Sequence, residues 1–242
     1  MRKFKAVVAI ALASVMVAGF AGCGSSGDAP AASSTDGNAE VGTEEASDAG
    51  TEGTSAETAG SSDLNVMIET PVESLDPQVA QDGTSLEVIA NFTDGLTQMD
   101  ADGQTINALA ESYEISDDGL TYTFHIREDA NWSNGTPVTA NDFVFAWRRA
   151  VDPAVASEYS YMLSDIGQVK NAAEIIAGEK DKSELGATAV DEKTLQVELN
   201  VPVSYFLSLM YFPTYYPVNE EFFNSCGDPF ATSPETVLSN GA

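Results

Sequence analysis

"LTYTFHIREDANWSNGTPVTANDFVFAWRRAVDP", residues 120–153, runs through a strand, a turn and a helix, and its reading sets the fold class. From Leu120 to Ile126 apolar and polar residues alternate, so Leu120, Tyr122, Phe124 and Ile126 share one face and Thr121, Thr123 and His125 the other. That pattern predicts a strand buried on one side. Asn134-Gly135 tolerates positive φ at little cost and predicts a tight turn. Thr139 and Asp142 have capping-box spacing, with Asp in place of the usual Glu or Gln, and predict a helix beginning near Ala140. Phe143, Trp147 and Ala150 form its apolar face, and Pro153 stops it. Trp132, just before the turn, is expected to pack on that helix.

The same signals recur outward from this stretch. Leu64–Ile68 and Leu195–Leu199 alternate like the first strand. Thr84 with Glu87 predicts a second capped helix, with Leu86, Ile89 and Phe92 on one face and Gly95 at its stop. Ser233-Pro234-Glu235 reads as a further helix start with Pro at its first position. The aromatic run "YFLSLMYFPTYYP", 205–217, suits a core segment better than a ligand groove. The body, 63–242, is therefore mixed α and β without an internal repeat.

Upstream the chain changes character. "MRKFKAVVAIALASVMVAGFAGC" places three basic residues before an apolar run too short to span a membrane, the pattern of a signal peptide over residues 1–22. Phe20-Ala21-Gly22-Cys23 resembles a lipobox, with Phe20 where leucine is usual, and makes Cys23 the lipidated N-terminus. The alternative is ordinary secretory cleavage beside an incidental cysteine. From Gly24 to Ser62 the chain is Gly, Ser, Thr, Ala and acid with no aromatic or basic residue, so residues 23–62 are expected to be a disordered acidic tether. A formal charge of −28 disfavours binding to a phosphate backbone, so no nucleic-acid partner is expected. Cys226 has no partner once Cys23 is modified, which leaves no intramolecular disulfide.

Catalytic readings find little support. His125 is the only histidine, and neither a Gly-x-Ser-x-Gly elbow nor Cys or His at metal spacing accompanies it. Glu128-Asp129 reads as a solvated loop pair. No catalytic residue, metal or cofactor is expected; a secreted peptide hydrolase would require His125 and Glu128 to act.

"ALAESYEISDDGLTYTFHIREDANWSNGTPVTANDFVFAWRRAVDP", 108–153, resembles the signature region of the extracellular solute-binding proteins (family 5) of oligopeptide and dipeptide ABC importers. "ESLDPQVAQDGTSLEVIANFTDGL" (73–96), "ASEYSYML" (156–163), "KSELGATAVDEKTLQVELNVPVSYFLSLM" (182–210) and "TSPETVLSNGA" (232–242) follow in the family's order. The resemblance implies a two-lobed α/β fold of the periplasmic-binding-protein-like type II, closing on its ligand at a hinge, with 63–242 supplying most of the first lobe only. It implies capture of extracellular oligopeptides by main-chain pairing, here at Gln81-Asp82-Gly83-Thr84, with Tyr159 near the ligand's first residues. The acid that receives a peptide's ammonium lies, in the family, beyond residue 242. Also implied are a membrane permease as partner, a monomeric binding protein, and lipid anchoring through Cys23 on the outer face of the cell membrane of a Gram-positive bacterium. Dipeptides, nickel chelates, haem, sugars and signalling peptides remain alternative ligands within the family.

Overall fold

The computed structural model describes residues 67–241. The expected signal peptide, Cys23 and tether lie outside the described residues, as do Leu64, Asn65 and Val66 of the first expected strand. Met67 and Ile68, which would have ended that strand, belong to none and are exposed.

Helix α1, Gly83–Ile89, comes first. A hairpin of β1 (Thr97–Met99) and β2 (Thr105–Asn107) follows, then the long strands β3 (Ala110–Ile115) and β4 (Thr121–Ile126). Helix α2, Ala140–Val151, precedes a single π-helical turn at Met162–Ile166 and the short α3, Ala172–Ile176. Strands β5 (Ala187–Ala189) and β6 (Thr194–Glu198) then join the sheet, and α4 (Phe206–Leu209) and α5 (Glu220–Cys226) close the order. The main sheet runs β3-β4-β6-β5 and is antiparallel throughout.

The strand predicted at 120–126 is β4, and its alternation is the observed burial: Tyr122, Phe124 and Ile126 are buried, whereas Thr121, Thr123 and His125 are half-buried. In β6, Leu195 and Val197 point the same way. Helix α2 covers this face with Phe143, Ala146, Trp147 and Ala150, all fully buried. Burial of a large apolar side chain is worth roughly 1.5–3 kcal/mol, so this stripe dominates the local energetics. Trp147 also donates from Nε1 to the Tyr215 carbonyl at 2.8 Å and sits edge-on to the Tyr215 ring.

The start of α2 is as predicted. Asp142 Oδ2 accepts from the Thr139 N–H at 2.8 Å and from Trp132 Nε1 at 3.1 Å, so one carboxylate caps the helix and ties the Asn134-Gly135 turn to it. Gly135 adopts φ of 85° there. Burial pushes the Asp142 carboxyl up, against the hydrogen bonds that favour its charged form.

Three expectations need correction. Thr84 does not cap α1: Asp82 does, because its Oδ1 reaches the Ser85 N–H at 2.8 Å, while the Thr84 hydroxyl meets that of Thr70 at 2.7 Å. The helix stops at Ile89, well before Gly95, and just past its end Asn91 Nδ2 donates to the Glu87 carbonyl; Phe92 still packs with Leu86 and Ile89. Gly95 serves close approach instead, since a Cβ there would lie 2.1 Å from the Met210 carbonyl oxygen. Ser233-Pro234-Glu235 opens only a 3-10 turn at Pro234–Thr236.

In the run 205–217, Phe206, Met210 and Tyr215 are fully buried and only Tyr205 is half exposed, so this is core. No helix among the described residues is long and apolar enough to cross a membrane.

Candidate functional site

The segment Asp76–Asp82 has no strand or helix of its own and enters α1 directly. Asp82 is extended, with φ −88° and ψ 150°, and its carboxylate ends the segment as the helix cap. Gly83 and Thr84 are already the first helical turn. Among the described residues, no backbone carbonyl accepts from the N–H groups of Gln81, Asp82, Gly83 or Thr84; the Asp82 carboxylate draws on its own N–H and that of Thr84, which leaves those of Gln81 and Gly83 without an acceptor. These donors are the orphans that every helix start leaves, here extended by one residue upstream. The edge therefore offers a row of donors, and of its residues only Gln81 and Asp82 could continue a strand.

Ser85 anchors the edge from beneath. Its buried hydroxyl accepts from the N–H groups of Glu73 at 2.9 Å and Ser74 at 3.2 Å. Hydrogen bonds from Ser85, side chain first and main chain second, hold the Asp82 carboxyl below its ordinary value. Asp82 Oδ2 is buried without a partner among the described residues.

Tyr159 lies in the segment between α2 and the π turn at Met162–Ile166. Its hydroxyl donates to the Gln81 carbonyl at 3.3 Å, and its ring stands edge-on to Phe212 with centroids 5.1 Å apart. Tyr161, 43% exposed, lies 5.9 Å from it and extends an aromatic ledge outward. The fold thus brings together all five residues that the family resemblance singled out, Gln81, Asp82, Gly83, Thr84 and Tyr159.

Ala156, with φ of 55°, precedes Tyr159, and the π turn at 162–166 follows it. Both are uncommon backbone states, and both tend to gather at functional sites.

The hydrolase constellation does not assemble. His125 is half-buried on the open face of the sheet, paired in register with Ser112 and Thr194. Glu128 and Asp129 are exposed, and Asp129 meets Arg127 at 3.5 Å. Among the described residues no group of His, Cys, Asp or Glu could hold a metal ion.

Sequence reasoning missed Asp76, Gln78 and Arg149. Arg149 grips Asp76 with both terminal nitrogens, at 3.2 and 2.6 Å, and Gln78 Oε1 at 2.9 Å, all in the interior. Asp-Pro in a loop and Arg-Arg at a helix end both read as surface features, so no local signal marked them.

The family model described as "Bacterial extracellular solute-binding proteins, family 5 Middle" matches residues 104–242. This chain belongs to that family. It is 38% identical over 186 residues to the dipeptide-binding protein of Lactococcus lactis subsp. cremoris, covering 77% of this chain and 33% of that protein. It is 41% identical over 168 residues to the probable deoxycholate-binding periplasmic protein YgiS of Escherichia coli, covering 69% of this chain and 31% of that one. The structure of Listeria monocytogenes OppA bound to peptide is similar with a TM-score of 0.67 at 46% identity, covering 69% of this chain and 33% of that one. The chain thus spans about a third of the length of these relatives. The fold is α/β and of the periplasmic-binding-protein-like type II, as expected.

Proposed function

We propose that this family-5 chain belongs to a substrate-binding lipoprotein of an ABC importer, which captures extracellular oligopeptides and hands them to a membrane permease. The observation that carries this reading is the row of N–H groups at Gln81–Thr84 that no backbone carbonyl claims, flanked by Tyr159, in a chain of this family. A peptide laid along the edge offers carbonyl oxygens at main-chain spacing, so recognition works without reading side chains. Binding then favours a closed arrangement of the two lobes by population shift, with no covalent step. Cys23 would carry the acyl anchor and residues 24–62 the tether, placing capture at the outer face of the membrane of a Gram-positive cell.

The likeness to a probable deoxycholate-binding protein favours a second reading, a non-peptide solute. Its carboxylate would suit the same N–H donors and its apolar body the ledge of Tyr159 and Tyr161.

One incubation separates these readings. The full-length gene product is mixed with an equimolar set of free-ended di- to nonapeptides plus deoxycholate, desalted, and the retained molecules are weighed by mass spectrometry. Retained intact peptides are expected. Deoxycholate alone would establish the second reading, and shortened peptides would establish a hydrolase.

A further inference from the structure

We propose that Asp76, Arg149 and Gln78 are positioning residues for the ligand edge, fixing Gln81–Thr84 against α2 so that capture depends on three side chains that need not touch the ligand. This rests on the reading of Gln81–Thr84 as the pairing edge.

Asp76 is a carboxylate with two tasks. Its Oδ1 accepts from the Gln78 N–H at 3.0 Å and its carbonyl from the N–H groups of Val79 and Ala80, which sets the turn leading straight into Gln81. The same carboxylate takes the Arg149 fork. Gln78, 1% exposed, accepts from Arg149 and donates through Nε2 to the carbonyls of Thr214 at 3.4 Å and Tyr216 at 3.2 Å. Arg149 also lies 4.3 Å from the centroid of the Phe223 ring. The Arg149 guanidinium therefore ties the turn to α2 and lies against α5, while Gln78 ties it to the 213–216 segment.

A buried ion pair contributes little net stability compared with apolar packing of the same volume, because desolvation offsets most of the attraction. What a bidentate fork adds is a fixed direction, which an apolar contact does not give. Main-chain donors such as those of Gln81 and Gly83 are useful to a ligand only when their direction is fixed. No other side-chain hydrogen bond or ion pair links Asp76–Ala80 to α2 among the described residues.

The test uses the full-length gene product with Arg149→Lys, which keeps the charge and loses the fork, and Gln78→Leu, which keeps the volume and loses all three side-chain hydrogen bonds. Capture of the same peptide set, the thermal midpoint, and amide exchange at Gln78, Ala80 and the β4 strand are measured together. The expected result is at least about a tenfold loss of affinity and about tenfold faster exchange at Gln78 and Ala80, with β4 protection unchanged. Unchanged affinity in folded variants would overturn the positioning role and leave the peptide reading intact. Exchange rising equally in β4 would also overturn it, since the residues would then hold up the whole core. A parent protein that retains no peptide would remove both readings. Should Arg149→Lys fail to fold, Gln78→Leu decides the outcome alone.

Discussion

The Tyr159 hydroxyl donates to the Gln81 carbonyl at 3.3 Å, joining segments 78 residues apart. That distance lies beyond the usual O–H···O range, so the bond is weak, and the ring's edge-on contact with Phe212 holds the side chain in place. Tyr159→Phe should therefore lower the unfolding free energy by no more than about 0.5 kcal/mol, whereas Tyr159→Ala should cost about 2 kcal/mol through lost packing. Peptide affinity should fall in the same order. Urea melts of both variants check this, and equal losses would mean that the hydroxyl, not the ring, anchors the loop.

A second prediction concerns pH. Burial is the largest cause raising the Asp142 carboxyl above its ordinary 3.8, so the folded protein holds that proton more tightly than the unfolded chain. The resulting stabilisation is full below 3.8 and is lost as pH rises through the folded value. Asp142→Asn removes the titration and keeps an oxygen for Trp132 and Thr139. The unfolding free energy of the parent minus that of Asp142→Asn should accordingly fall as pH rises above 3.8. A difference that grows with pH would show that the capping bonds outweigh burial.

How far the sequence carries depends on the range of the interaction. Leu120–Ile126 was legible because its alternation is local and both neighbouring strands reward it. Thr139 and Asp142 were legible because a capping box is closed within four residues. Strand β3 escaped notice because, as a sheet edge with five of its six residues exposed, it needs no apolar alternation. Arg149 and Asp76 escaped because a buried ion pair is defined by two residues 73 apart, each of which looks like surface in its own context. At the candidate site, Tyr159 and Gln81–Thr84 came from the family resemblance; residue types alone gave a turn and a loop aromatic.

The anchor is tested through Cys23. If acylation holds the protein, Cys23→Ala should shift it from the membrane fraction to the medium or leave an uncleaved precursor, because several buried acyl chains at roughly 0.8 kcal/mol per CH₂ are lost together. Fractionation that finds mutant and parent alike would point to ordinary secretory cleavage.

The pairing edge is tested most cleanly by Gly83→Pro, because the local backbone already suits proline. Gly83 is the first residue of α1, where proline is favoured and where its missing N–H removes no bond of the fold. The preceding Asp82 is extended, as the residue before a proline must be. A Cβ at position 83 meets nothing within 4 Å. Folding should therefore survive, with a thermal midpoint equal to or slightly above that of the parent. On the proposed pairing the substitution removes one donor to the peptide, so peptide affinity should fall by about 1 kcal/mol, or roughly fivefold. His125→Ala, on the open face of the sheet away from this edge, should leave affinity unchanged. Calorimetric titration of both variants in the full-length gene product gives the comparison. Undiminished binding by Gly83→Pro together with loss in His125→Ala would move the site from the start of α1 to the sheet.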